Sequence, residues 1–325
     1  MTIRNSPLQA TQIHTERTMT FPIRSIDQSR ATQYEPVGSK PKVWLDGDDY
    51  LFKGEVRGTG ADWAEVVASR LCRLLGLPHV EYDLAVFVAG DKLLQRGVIC
   101  VNMAPGDKEL VLGNQLLLDI DKTYPSKQRW KVRQHTVEAV CHALEFSSRP
   151  ASKWAADSPE WVFDAIGFFI GYVMLDAWIA NQDRHHENWG LIWDPTVAEL
   201  QLAPTFDHGA GMACILTDEK RQRHLTTRDR NDTLEAFCGR ARSGFYADAA
   251  ASSTLTSLEA YRQFAARAPV QAKPWLDRLR AVTTDMVWSI LQDVPSDLMT
   301  PVCREFTCRL LTINRERILA GAGTP

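Results

Sequence analysis

The most apolar run of the chain, residues 161–180 (WVFDAIGFFIGYVMLDAWIA), ends directly on the polar stretch NQDRHHENWG at 181–190. Asp164 and Asp176 interrupt it and leave 11 uncharged residues between them. A membrane-spanning helix needs about 18 or more. The run therefore reads as a buried core helix that leads straight into a dense set of polar and ionisable side chains.

The rest of the chain divides around that feature. At 325 residues, a prior of roughly 150 residues per domain gives about two domains or lobes. Residues 1–33 are polar and lack an apolar leader core, so they read as a loosely held arm of a cytoplasmic protein. From 34 onward VGSKPK is a turn-forming segment, and VWL and YLFK flank a Gly-Asp turn as a β-hairpin. Residues 62–76 show helical spacing, with Asp62 as the expected N-cap and Gly76 at the C-terminal end. YDLAVFVAGDKLLQRGVICVNM then gives two more strands around a second Gly-Asp turn. Beyond about 110 the signal is mostly helical, with candidates at 128–146, 159–180, 256–267 and 296–319. GLIW and ELQLAP, separated by Asp194-Pro195, form one further hairpin. The expectation is an α+β fold: an arm at 1–33, a small mixed part at 34–104 and a helical part at 105–325.

Composition narrows the function classes. Hydrophobic residues at 45% and charged residues at 24% suit a globular protein. The net charge of -3 gives no electrostatic footprint for nucleic acid as the main ligand. Seven scattered cysteines, none in a CxxC pair, read as free buried thiols of a reducing compartment.

Three residues in the polar stretch and just beyond it carry a chemical logic. Asp183 precedes Asn188 by five residues, and Asp207, in LAPTFDHG, follows Asn188 by nineteen. Phosphoryl transfer needs one carboxylate to orient the attacking hydroxyl, and an amide oxygen with a second carboxylate to hold Mg²⁺ on the phosphates. Lys53, at the end of YLFK, can supply the positive charge, and Glu65 on the following helix can steady it. Gly38 can let backbone amides approach the phosphates, with Lys40 or Lys42 adding charge. Each residue also has a plainer reading. Asp183 and Asn188 could cap a helix, Asp207-His208-Gly209 could be a turn, and Lys53 and Glu65 could be solvated.

These stretches together resemble the HipA-like serine/threonine kinases, above all their compact, CtkA-like subgroup. The likeness rests on VGSKPK, YLFK, WAEVVASRLCRLLGLPHVEYDLA, ELVLGNQLL, NQDRHHENWG and LAPTFDHG, in family order from about 37 to 210. It implies a bilobal protein-kinase-like fold, ATP and Mg²⁺ as ligands, and phosphorylation of a protein Ser or Thr. It further implies Lys53 as the ATP lysine, Asp183 as the catalytic aspartate, His185 as an active-site histidine, and Asn188 and Asp207 as metal ligands. Gly38, Ser39, Lys40, Lys42 and Glu65 complete the expected nucleotide site.

Larger HipA toxins carry an extra N-terminal subdomain before the phosphate loop, where some 35 residues stand here. Their regulatory serine, upstream of the loop glycine, is replaced by Gln33-Tyr34-Glu35-Pro36, so Ser39 is the nearest autophosphorylation candidate. The expected partners are a protein substrate and a regulatory or antitoxin protein, with neither membrane nor nucleic acid. A phosphatidylinositol-type lipid kinase, a nucleotide-binding pseudokinase, a nucleotidylating enzyme and, through His185-His186, a metal-dependent hydrolase remain as alternatives. The basic cluster Lys220, Arg221, Arg223, Arg228 and Arg230, with Thr226 and Thr227, reads as a solvated segment or a substrate-docking one.

Overall fold

The computed structural model describes residues 21–35, 41–56 and 58–321. Gly38, Ser39 and Lys40 lie outside the described residues, as does most of the expected arm. In chain order the N-terminal part comprises β1 (Ile23–Asp27), β2 (Ala31–Glu35), β3 (Lys42–Leu45), β4 (Tyr50–Gly54), α1 (Ala61–Leu75), β5 (Tyr82–Ala89) and β6 (Lys92–Val101). There follow β7 (Glu109–Leu112), α2 (Gly113–Ile120), α3 (Val137–Leu144), α4 (Ala165–Trp178), β8 (Gly190–Asp194) and β9 (Glu199–Leu202). The remainder is α5 (Asp218–Thr226), α6 (Leu234–Gly239), α7 (Ser257–Arg267), α8 (Pro269–Ala281), α9 (Thr284–Gln292) and α10 (Pro301–Ala320). The protein is thus a mixed α/β chain, sheet-rich in its N-terminal part and helical in its C-terminal part.

The six-stranded sheet runs β1-β5-β6-β4-β3-β2. β1 pairs parallel with β5 and the other pairs are antiparallel. The expected loose arm is corrected here: residues 23–27 and 31–35 are edge strands. Only Ile26 of β1 is buried, so main-chain pairing rather than an apolar pattern holds that strand.

Period-2 alternation sorts the sheet into two faces. Phe52 stacks on Phe87, with ring centroids 5.2 Å apart, in a small core with Ile26, Val43 and Leu45. Leu51 and Lys53, its neighbours on β4, belong to the opposite face, where α1 packs. The α1 helix begins at Gly60, in left-handed backbone (φ 76°), rather than capping on Asp62. Glu55 takes the capping work instead. Its carboxylate accepts the backbone N–H groups of Gly58, Thr59 and Gly60, and Asp62 lies inside the first turn. Gly76 closes the helix in the left-handed region (φ 71°), as expected.

α4 is the predicted core helix. All but one of its residues are buried, so neighbours must surround it; α3, α7, α8 and α10 do. Asp164 caps it through the Gly167 N–H at 2.8 Å, which places residues 159–164 before the helix. The expected helix over 128–146 shrinks to Val137–Leu144. Thr136 caps it there, and Lys131 in left-handed backbone (φ 60°) breaks the helical path upstream. The charged segment after 217 forms α5, but Arg221 is buried there rather than solvated, donating to Asp218 and to the Cys214 carbonyl. All seven cysteines are free and buried. Among the described residues no helix is long and apolar enough to cross a membrane.

Candidate functional site

Lys53 projects from β4 into the space between α1 and the segment that follows β9. It is 8% exposed. Its Nζ donates to the Tyr82 hydroxyl at 3.0 Å and lies 3.6 Å from Asp207 Oδ1 and 3.8 Å from Glu65 Oε1. The last two distances are ion-pair contacts rather than hydrogen bonds. Burial alone would lower the ammonium pKa, but the carboxylate of Asp207 and then that of Glu65 outweigh it, and the pKa stands well above its ordinary value. Lys53 is therefore a fixed positive charge.

Glu65 does a second job. Its Oε2 accepts the His208 backbone N–H at 2.8 Å, so α1 is bound to the turn that presents Asp207. Asp207 itself sits in left-handed backbone (φ 60°), a conformation Asp tolerates better than most residues.

Close approach governs the strand that carries Lys53. Gly97 on β6 pairs with Gly54, and a Cβ at Gly97 would lie 2.1 Å from the Lys53 carbonyl oxygen. Gly97→Ala is expected to destabilise the protein by about 1–3 kcal/mol through overpacking, read as a lower urea midpoint. An unchanged midpoint would mean that the two strands part freely.

The loop after α4 is held by one buried cation. Arg184 is 1% exposed and grips Asp176 of α4 through Nε–Oδ2 (2.7 Å) and Nη2–Oδ1 (2.8 Å). The same guanidinium donates to the Asn188 carbonyl at 2.6 Å and to Thr205 Oγ1 at 3.0 Å. It thus joins α4, the polar loop and the approach to Asp207. Asn188 donates its amide nitrogen to the Asp183 carbonyl at 2.7 Å, which leaves the amide oxygen as the atom able to meet a cation.

His185 and His186 diverge. The Nε2 of His185 accepts from Arg129 Nε at 2.9 Å and lies 3.6 Å from Asp183 Oδ1. Burial, and then the Arg129 charge, depress its pKa to about 3. His185 is therefore neutral at pH 7 and contacts Asp183 without carrying charge. His186 turns instead to the Tyr124 hydroxyl, 2.7 Å away.

Two cavities meet at these groups. One, of 270 Å³, is lined by Lys42, Lys53, Arg129, Asp183 and Asp207. The other, of 420 Å³, has apolar walls from Leu51, Val80, Val101, Met103 and Leu112, and polar lining from Lys53, Asn188 and Asp207. An apolar slot adjoining a cationic, carboxylate-bearing chamber has the polarity of a nucleoside joined to phosphates. Among the described residues no group of three or more His, Cys, Asp or Glu side chains could hold a metal ion. The oxygen donors of Asn188 and Asp207 suit Mg²⁺ nonetheless, because that ion takes one or two protein oxygens and completes its shell from water and phosphate.

Of the residues singled out in the sequence, Lys42, Lys53, Asp183, Asn188 and Asp207 line this pair of cavities, with Glu65 against Lys53 and His185 against Asp183. Tyr82, Arg129, Asp176 and Arg184 were missed. Asp176 carried a signal, since an acid inside an apolar helix needs a buried partner; Arg129 and Tyr82 carried none.

No protein-family model and no curated protein sequence matches the chain. Solved structures do. The Helicobacter pylori proinflammatory kinase CtkA is 22% identical with a TM-score of 0.65, over 91% of this chain and 96% of that one. HipA of the Shewanella oneidensis MR-1 toxin–antitoxin system, solved with HipB and operator DNA, is 12% identical with a TM-score of 0.55. That match takes in 88% of this chain and 65% of the HipA chain. The chain has the fold of the HipA-like kinases.

Proposed function

We infer that the protein is a bilobal, ATP- and Mg²⁺-dependent kinase that phosphorylates a Ser or Thr hydroxyl of another protein. The observation that carries this reading is the convergence of Lys53 on Asp207 and Glu65, beside a cavity that Asp183 also lines. The apolar cavity takes the adenosine, and Lys53 with Lys42 takes phosphate charge. Asn188 and Asp207 hold Mg²⁺, which neutralises phosphate oxygens when bound. Asp183 orients the acceptor hydroxyl and receives its proton as the hydroxyl oxygen bonds to the γ-phosphorus and the bond to the β–γ bridging oxygen breaks. Most of the acceleration comes from positioning and fixed charge rather than from covalent catalysis.

The test is incubation with γ-labelled ATP, Mg²⁺ and cell lysate, followed by identification of labelled proteins. Asp183→Ala and Asp207→Ala should each lower label transfer by at least ~100-fold. Near-normal transfer in either variant would reject the assignment. Label recovered in lipid, or a nucleotide mass on the target, would replace it with a different transfer.

A further inference from the structure

A third cavity, of 350 Å³, lies on the other side of the polar loop. Gln182 and His185, which bracket Asp183 in the chain, contribute to its wall, as do Trp130, Lys131 and Arg129. Arg129 also lines the 270 Å³ chamber with Asp183, so the two spaces adjoin through one guanidinium.

The polarity of this third cavity is one-sided. Among the described residues, Arg129 and Lys131 are the only ones with full charges that line it, and no carboxylate does.

A buried polar atom is left over as well. The Tyr124 hydroxyl and His186 Nδ1 share a hydrogen bond of 2.7 Å. The other ring nitrogen, His186 Nε2, is buried with no hydrogen-bond partner, in a residue 1% exposed that lines the cavity. A buried polar atom without a partner is costly unless a ligand meets it.

Two cations, an unpartnered imidazole nitrogen and no carboxylate define a site for an anionic group. We propose that this cavity receives an acidic side chain of the protein substrate, aspartate, glutamate or a phosphorylated residue, within about three residues of the acceptor hydroxyl. The reach follows from the wall: Gln182 adjoins Asp183 in the chain, and an extended substrate advances about 3.3 Å per residue. Trp130, 55% exposed at the rim, offers an apolar face for the substrate backbone. This deepens the kinase reading and rests on it.

The test uses fluorescein-labelled Ser-centred peptides that carry Asp, Ala or Lys at each position flanking the serine. Binding is read by anisotropy without nucleotide, transfer is read with γ-labelled ATP and Mg²⁺, and ATP binding is titrated in parallel. The Asp-flanked set should bind and be labelled about tenfold better than the Ala set, as a charge-assisted contact supplies. Lys131→Glu, on an exposed loop, should cut the Asp-to-Ala ratio by about fivefold. A preference for Lys, no preference, a ratio unmoved by Lys131→Glu, or an unlabelled library from protein that binds ATP would each overturn the inference. Failure to bind ATP would instead defeat the kinase reading itself.

Discussion

Between pH 7 and pH 5 the metal-free protein is expected to lose on the order of 5 kcal/mol of folding stability, with its Tm falling by about 10 °C. The cause is buried histidine. His135 and His185 are depressed to about 3 and His186 to about 4, burial being the largest cause in each case. Arg129 adds to the depression of His185 and His186. Unfolded, each would titrate near its ordinary value of about 6.5. The unfolded chain therefore binds more protons throughout the interval, and stability falls as pH drops.

Each of the three contributes about 2 kcal/mol by pH 5. The size depends little on how deep the native depression goes, because the folded chain takes up almost no protons in this interval. The loss begins near pH 6.5, well above the carboxylate range. His79 and His208 are also depressed, chiefly by burial, and act in the same direction. Thermal melts at pH 7, 6 and 5 measure the slope. A Tm level across that interval would show that these imidazoles reach solvent.

The parts of the fold that the sequence revealed share a local cause. The β3–β4 and β5–β6 hairpins announce themselves through Gly-Asp turns between apolar runs. α1 shows through spacing, and α4 through an apolar run that only Asp176 breaks within the helix. The hidden parts lacked such a cause. β1 buries one side chain of five, so no alternation marks it. α8 starts on Pro269 and carries Pro274 inside; two prolines read as breaks, although the first suits a helix start. β7 is legible only as the partner of β8, a pairing that joins residues 109–112 to 190–193.

The site divides the same way. Lys53, Asp183, Asn188 and Asp207 could be singled out because phosphoryl transfer demands those chemical types in a workable order. Arg129 could not, since its loop position follows from a left-handed turn at Lys131 and from contacts with His185 and Glu187.

Arg184→Met is expected to destabilise the protein by about 3–5 kcal/mol, and Asp176→Leu by a similar amount. Either change strands a buried charge: Asp176 is 3% exposed and Arg184 1%. Asp176 would keep one side-chain donor, Asn181 Nδ2 at 2.8 Å. Arg184 would keep only neutral oxygens, the Asn188 and Phe206 carbonyls and Thr205 Oγ1. The double variant Asp176→Leu/Arg184→Met should recover most of the loss, because an apolar pair of similar volume replaces a buried ion pair at little net cost.

Activity should not recover with it. In the double variant the Asn188 carbonyl and Thr205 lose the donor that ties the polar loop to the approach to Asp207, while the helical core is whole again. Urea midpoints and label transfer, measured on all three variants, separate the two roles. A double variant that regains both would reduce the pair to a structural bolt. One that regains stability but stays at least ~100-fold slow would show that Arg184 holds Asn188 and Asp207 in the register that phosphoryl transfer requires.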